Sequence, residues 1–274
     1  MLLGNIMTPA NFETERKGFE MGNNPFMGEW KKTFNFPPVS YSNQSSAKRK
    51  FKEKLISQLG NNFVFSHQVV LTITLYLNEE KMLDTPEYGD LDNYAKTICD
   101  AIKGSEALLI DDCQIQRLDI SWIDVPKESY FEIALKSSPD DFLPLDCNLY
   151  EMNDGLFYPI SHLTWSDGEI KEFDIINKFA SLKAYGAMTA VRRKVRHHLR
   201  QSGVPQFRTF QAAKFVTPIP WGFHKTRVAD SGFNLINRKD WLAEYESWKS
   251  THEQGDEINA MFQKYQESLE ATAI

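Results

Sequence analysis

The sequence predicts an α+β fold, a layer ordered strand, helix, strand, helix, strand, strand with a mixed sheet, followed by a mainly helical C-terminal region. Three observations carry this expectation. In "VVLTITLYL", Val69, Leu71, Ile73, Leu75 and Leu77 alternate with Val70, Thr72, Thr74 and Tyr76, the period of a strand. Over 92–103, Tyr94, Ile98, Ala101 and Ile102 recur at helical spacing. Two further alternating runs follow, with Leu118, Ile120 and Trp122 on one apolar face and Phe131, Ile133 and Leu135 on the next.

Taken in order, residues 1–28 are rich in Asn, Gly and Met without sustained periodicity and read as an irregular leader. "EWKKTFNF" reads as a short strand ended by Pro37 and Pro38, which cannot donate to a ladder. Ser45 and Ser46 are placed to cap a helix reaching Leu59, with Gly60 beyond it as a stop. Gly104 ends the 92–103 helix in the same way, and "DVPKES" joins the last two strands. The layer spans 29–137. "SSPDDFLPLD" breaks the periodicity, so 138–274 forms a second region. That region is expected to hold a basic helix over about 173–201, loops at "SGVPQF" and "TPIPWGF", and an amphipathic helix near 240–269.

Composition excludes several classes. At 274 residues, 42% apolar and 25% charged, the chain can bury a core and is not wholesale disordered. No run of about 18 apolar residues occurs, so no membrane partner is expected. Cys99, Cys113 and Cys147 lack CxxC spacing, which suits a reducing, cytoplasmic setting and not a disulfide framework or zinc site. The net charge of −6 argues against a generally basic nucleic-acid coat. Charge is nevertheless segregated, with eleven Lys and Arg and no acid over 175–229, as a polyanion-binding surface would require.

The chemistry concentrates in "GDLDNYAK" and in the "DD" at 111–112. A lone Asp before an apolar-periodic segment is an N-cap, and Asp92 suits that role. A second acid at Asp90, two residues earlier on an extended segment, would point the same way, and its repulsion calls for a cation. Mg²⁺ takes one or two carboxylates with water and phosphate oxygens. Lys96, four residues after Asp92, could meet a phosphate or simply pair with Asp92. Asp111 and Asp112 offer a third acid if the chain folds back.

"GDLDNYAKTICDAIKGSEALLIDDCQI" resembles the signature of the RusA family of Holliday junction resolvases, in which D-x-D-N-x-x-K opens a helix running to D-A-[LI] and D-D-x-Q-[VI] follows. Asp100, Ala101 and Gln114 match along with the acids. The resemblance covers about 30–137 and implies a homodimeric RusA-like endonuclease that nicks branched DNA with Mg²⁺, Mn²⁺ being a possible substitute. It assigns catalysis to Asp90, Asp92, Lys96 and Asp112, with the three aspartates holding metal, and leaves Asp111 and Asn93 as supporting or capping groups. Ahead of the first acid, where the family pattern implies a basic stretch, Glu79, Glu80, Asp84 and Glu87 stand against Lys81. A nuclease for flaps, forks or RNA, or a catalytically silent DNA-binding protein, are therefore competing readings.

In the basic half, Arg192, Arg196 and Arg200 fall at i, i+4 and i+8, widened by Arg193 and Lys194. The functional reading is contact with DNA phosphates. The plainer one is a solvated helix face, or a partner for the acids around Glu244, Glu246, Glu253, Asp256 and Glu257.

Overall fold

The computed structural model describes residues 27–84, 90–139, 141–161, 163–166, 169–172, 175–217, 219–252 and 255–272. All but the last two residues of the expected leader, and 85–89 of the acidic approach to Asp90, lie outside them. The chain divides into two compact units, the first comprising the chain through Asp146 with two short later segments, the second the remainder.

The first unit runs β1 (Glu29–Phe34), α1 (Ser45–Leu59), β2 (Phe63–Phe65), β3 (Val69–Asn78), α2 (Glu79–Asp84), α3 (Leu91–Ala101), a 3-10 turn (Asp112–Gln114), β4 (Ile115–Val125), β5 (Tyr130–Lys136) and β6 (Phe142–Pro144). Its sheet is four-stranded in the order β1-β5-β3-β4. β5 is antiparallel to both β1 and β3, whereas β3 and β4 are parallel, Leu71 facing Leu118 and Leu75 facing Trp122. The sheet is thus mixed, as expected, and the β3–β4 pair is joined by the long crossover containing α3 that parallel strands need.

Alternation decides which faces are buried. Val69, Leu71, Ile73, Leu75 and Leu77 are all buried, as are Phe131, Ile133 and Leu135. They pack with Trp30, Phe34, Phe51, Leu55 and Ile98 into one core. The apolar face expected on β4 is only partly covered. Ile120 packs against the core, but Leu118 and Trp122 are 42% and 44% exposed, because β4 is the edge strand.

A local expectation shifts. Ser45 and Ser46 lie inside α1, whose N-cap position is Gln44, without a side-chain bond. The acidic stretch ahead of Asp90 is helical over Glu79–Asp84. Gly60 does stop α1, with φ of +61° in the left-handed region that glycine enters without penalty.

The second unit contains a three-stranded sheet, with β7 (Cys147–Glu151) antiparallel to β8 (Phe157–Ser161) and parallel to β11 (Leu235–Ile236); the two-stranded pair β9 (Leu163–Ser166) and β10 (Glu169–Glu172) falls between β8 and β11 in the sequence. Its helices are α4 (Ile175–Gln201), α5 (Gln206–Val216), α6 (Lys225–Val228), α7 (Arg238–Thr251) and α8 (Gly255–Thr272). Helix dominates, as expected, but "SGVPQF" leads directly into α5, and the 240–269 segment is two helices. Gly255 begins the second of these where a Cβ would collide with the Lys249 carbonyl. Tyr150, Phe179, Trp241, Tyr245 and Trp248 form this unit's core. Among the described residues no helix is long and apolar enough to cross a membrane.

Candidate active site

The acids of "GDLDNYAK" sit at the start of α3, with Asp90, not Asp92, in the N-cap position. The Asp90 carbonyl accepts from Asn93 and Tyr94 and so begins the helix, while its carboxylate makes no capping bond. Asp92 is exposed in the first turn, its Oδ1 taking the Asn93 N–H at 2.9 Å. The two acids therefore do not share an extended segment, and both lie at the helix end whose dipole favours negative charge.

Lys96 is exposed on the same helix. Its ammonium lies 3.7 Å from the centre of the Tyr41 ring, a cation–π contact. Tyr41 is itself tied to this turn, its N–H donating to the Asn93 carbonyl at 3.1 Å.

The "DD" turn separates the roles of its two acids. Asp111 is 4% exposed; its Oδ1 accepts from the Cys113 N–H and it forms a capping box with Gln114. Gln114 is fully buried. Its Oε1 accepts from Ile110 and Asp111, and its Nε2 donates to the Phe65 and His67 carbonyls at 2.7 and 2.8 Å. This locks the turn onto β2 and the segment that leads from it into β3. Asp112 is left partly exposed and its Oδ2 accepts from Lys103 at 2.7 Å.

Lys103 also reaches Asp100 Oδ1 at 2.8 Å, so one ammonium bridges the end of α3 and the "DD" turn. Burial disfavours its charge, but the hydrogen bonds and charges of the two carboxylates outweigh that and raise its pKa. Beside them the Cys99 thiol is pushed up to about 11, by burial first and then by Asp112 and Asp100. It is therefore not a thiolate nucleophile at neutral pH. Sequence reasoning gives Asp100 and Lys103 no catalytic role; the usable signal for them is their position off the buried stripe of α3.

Asp90, Asp92 and Lys96 thus share the first turns of α3, and Asp112 is linked to the far end of α3 through Lys103. Among the described residues no three His, Cys, Asp or Glu are gathered as a metal-holding group. The donor chemistry nonetheless fits a hard divalent cation: all three donors are carboxylates, Asp90 is not spent on capping, and Asp112 already draws a cation, the Lys103 ammonium.

The expected DNA-contacting residues lie on α4 in the second unit, and they differ among themselves. Arg192 is turned inward, with Nε donating to Thr217 Oγ1 at 2.8 Å and one terminal nitrogen to the Thr217 and Ile219 carbonyls at 2.6 and 3.0 Å. Arg196 has a buried Nε with no hydrogen-bond partner among the described residues. Arg193 donates to the Asp154 carbonyl and Arg200 to Gln206 Oε1; these two and Lys194 are exposed. The pairing with acidic helices also occurs, Lys178 meeting Glu244 at 2.6 Å.

Fold and site together define the first unit as an α+β domain presenting acids and a lysine from one helix and one turn. Residues 27–134 match the family described as Endodeoxyribonuclease RusA, so the resemblance carried by the motif holds for this segment, and the family is one of DNA-cleaving hydrolases. The match ends within β5 and covers less than half of the chain. A search of the curated proteins finds no match.

Proposed function

We propose that the protein is a structure-selective endodeoxyribonuclease that resolves four-way DNA junctions by paired phosphodiester hydrolysis, with its active site at Asp90, Asp92, Lys96 and Asp112. The observation that carries this reading is the placement of these four groups on α3 and the "DD" turn of a unit that matches the RusA family. Asp90, Asp92 and Asp112 would hold Mg²⁺, or Mn²⁺ in its place, which neutralises phosphate charge and lowers the pKa of bound water. Lys96, free to leave the face of Tyr41, stabilises charge developing on the scissile phosphate. Lys103 neutralises Asp112 in the absence of metal and keeps Asp100 beside it. Gln114 and Asp111 fix the backbone that carries Asp112.

Two opposed nicks in a two-fold symmetric junction require two such sites, so the working form in this reading is a homodimer. Three cysteines without CxxC spacing suit a reducing cytoplasm. The deciding experiment compares cleavage of labelled four-way junction, flap, linear duplex and RNA, each with Mg²⁺ and with EDTA. Junction cleavage abolished by EDTA supports the proposal. Preference for flap or RNA would replace the substrate, and activity in EDTA would remove the metal.

A further inference from the structure

A second feature of the first unit lies outside the acid and lysine motif. A cleft of about 320 Å³ opens between α1 and α3, lined by Tyr41, Lys48, Arg49 and Lys52 on one side and Thr97 and Asp100 on the other. Resting on the reading of this unit as a DNA-cleaving domain, we infer that the cleft seats the sugar-phosphate backbone of a DNA strand and leads it to the acids at the start of α3.

The amphipathicity of α1 produces this surface. Phe51, Leu55 and Leu59 are buried and fix the helix against the core. Lys48 and Lys52, one turn apart, then fall on one flank with Arg49 beside them, whereas Lys50 and Lys54 fall on the other side of the helix. Within the cleft the acid is Asp100, which shares the Lys103 ammonium with Asp112. Lys48, Arg49 and Lys52 therefore face one carboxylate across the cleft and outweigh it, although the whole chain carries −6.

The cleft is also physically continuous with the acids. The Lys48 ammonium lies 4.0 Å from the Tyr41 ring centre, and the Lys96 ammonium lies 3.7 Å from the same centre. The Tyr41 N–H is bonded to Asn93, the neighbour of Asp92. One ring therefore joins the cationic flank of α1 to the proposed catalytic lysine. Spaced cations along such a path match the repeating phosphates of a strand, which bind point charges by counterion release and without base readout. A backbone passing over Tyr41 would meet Lys48, Lys96 and then the carboxylates.

The test is binding of a fluorescently labelled four-way junction to the full chain, by anisotropy in EDTA across a salt series. The cleft pair Arg49→Gln with Lys52→Gln is compared with the control pair Lys50→Gln with Lys54→Gln, which removes the same charge from the other side of α1. The cleft pair should weaken binding about ten-fold and flatten the log–log salt dependence by about 0.9 for each phosphate no longer neutralised, while the control pair changes binding by less than about two-fold. Equal weakening by both pairs would show only a diffuse field and overturn the inference, as would unchanged binding by the cleft pair. If the cleft pair melts early, Arg49→Gln alone decides, since Arg49 is exposed and pairs only loosely with Glu53 at 3.7 Å; it should flatten the slope by about 0.9, and an unchanged slope would overturn the inference. A chain that cleaves no DNA yet shows the cleft-specific weakening keeps the cleft assignment and removes the catalytic reading. Cleavage with binding indifferent to the cleft pair does the reverse.

Discussion

Along the chain the cations of the two units resemble one another, yet the fold uses them differently. On α1 and α3, Lys48 and Lys96 hold their ammonium groups over an exposed tyrosine ring, and Lys103 lies between two partly exposed carboxylates. On α4, Arg192 spends its guanidinium on backbone carbonyls of its own unit, and Lys178 is paired with Glu244. The second unit holds the longer acid-free basic stretch, but the first unit presents its cations beside acids and a cleft. What separates them is burial and the number of partners: half-buried Arg192 gives three hydrogen bonds to its own unit, whereas Lys48 gives one exposed bond, to the Tyr41 carbonyl at 3.2 Å, and can change partner.

The largest effect expected from this contrast falls on turnover. Lys96→Met should lower junction cleavage by about 100-fold or more, the scale for removing one group that stabilises transition-state charge, with an unchanged melting temperature. Arg192→Met should do the opposite. It strips three hydrogen bonds from a half-buried cation and leaves carbonyls without a donor, which should cost about 2–3 kcal/mol in a urea titration. Junction binding measured below the unfolding range should be unaffected. Reduced cleavage by Arg192→Met at full stability would erase the distinction between the two regions.

Much of the first unit is legible from residues because its signals are local. The alternation of Val69 to Leu77 fixes which face of β3 is buried, and the Ile98, Ala101 and Ile102 stripe fixes the orientation of α3. Asp111 and Gln114 fall within the motif, but their function as a buried lock on Phe65 and His67 is tertiary and has no sequence period. The exposure of Leu118 and Trp122 is illegible because alternation records two faces and not a strand's place in the sheet. In the second unit the β7–β8 hairpin does carry a signal, the "NDG" at 153–155 between apolar runs, with Gly155 at a φ of +76°. The inward turn of Arg192 has none, since its acceptors lie 25 and 27 residues away. The five Lys and Arg of "AKRKFKEK" are visible in the sequence, where Glu53 is the only acid over 30–78, but their position beside α3 is tertiary and has no sequence period.

Smaller effects sharpen the same contrast. Lys178→Ala removes a partly exposed ion pair and should cost less than about 1 kcal/mol, marking the lower limit for a basic residue of the second unit. For Cys99, the folded pKa of about 11 lies above the ordinary 9.0, so the folded state holds its proton longer than the unfolded chain. Stability from this group is full below about pH 9 and declines as pH rises from there through 11. Comparing urea midpoints of the protein and of Cys99→Ala across that range should show a steeper decline in the protein, and alkylation of Cys99 at neutral pH should be slow.

In the proposed function the first turns of α3 carry phosphodiester hydrolysis and not merely DNA affinity. Asp92→Asn tests it most directly, because Asp92 is exposed and its replacement takes no support from the core. With Mg²⁺ and a labelled four-way junction, this variant should bind as the unaltered protein does and show no cleavage. Full cleavage by Asp92→Asn would remove catalysis from the first turns of α3.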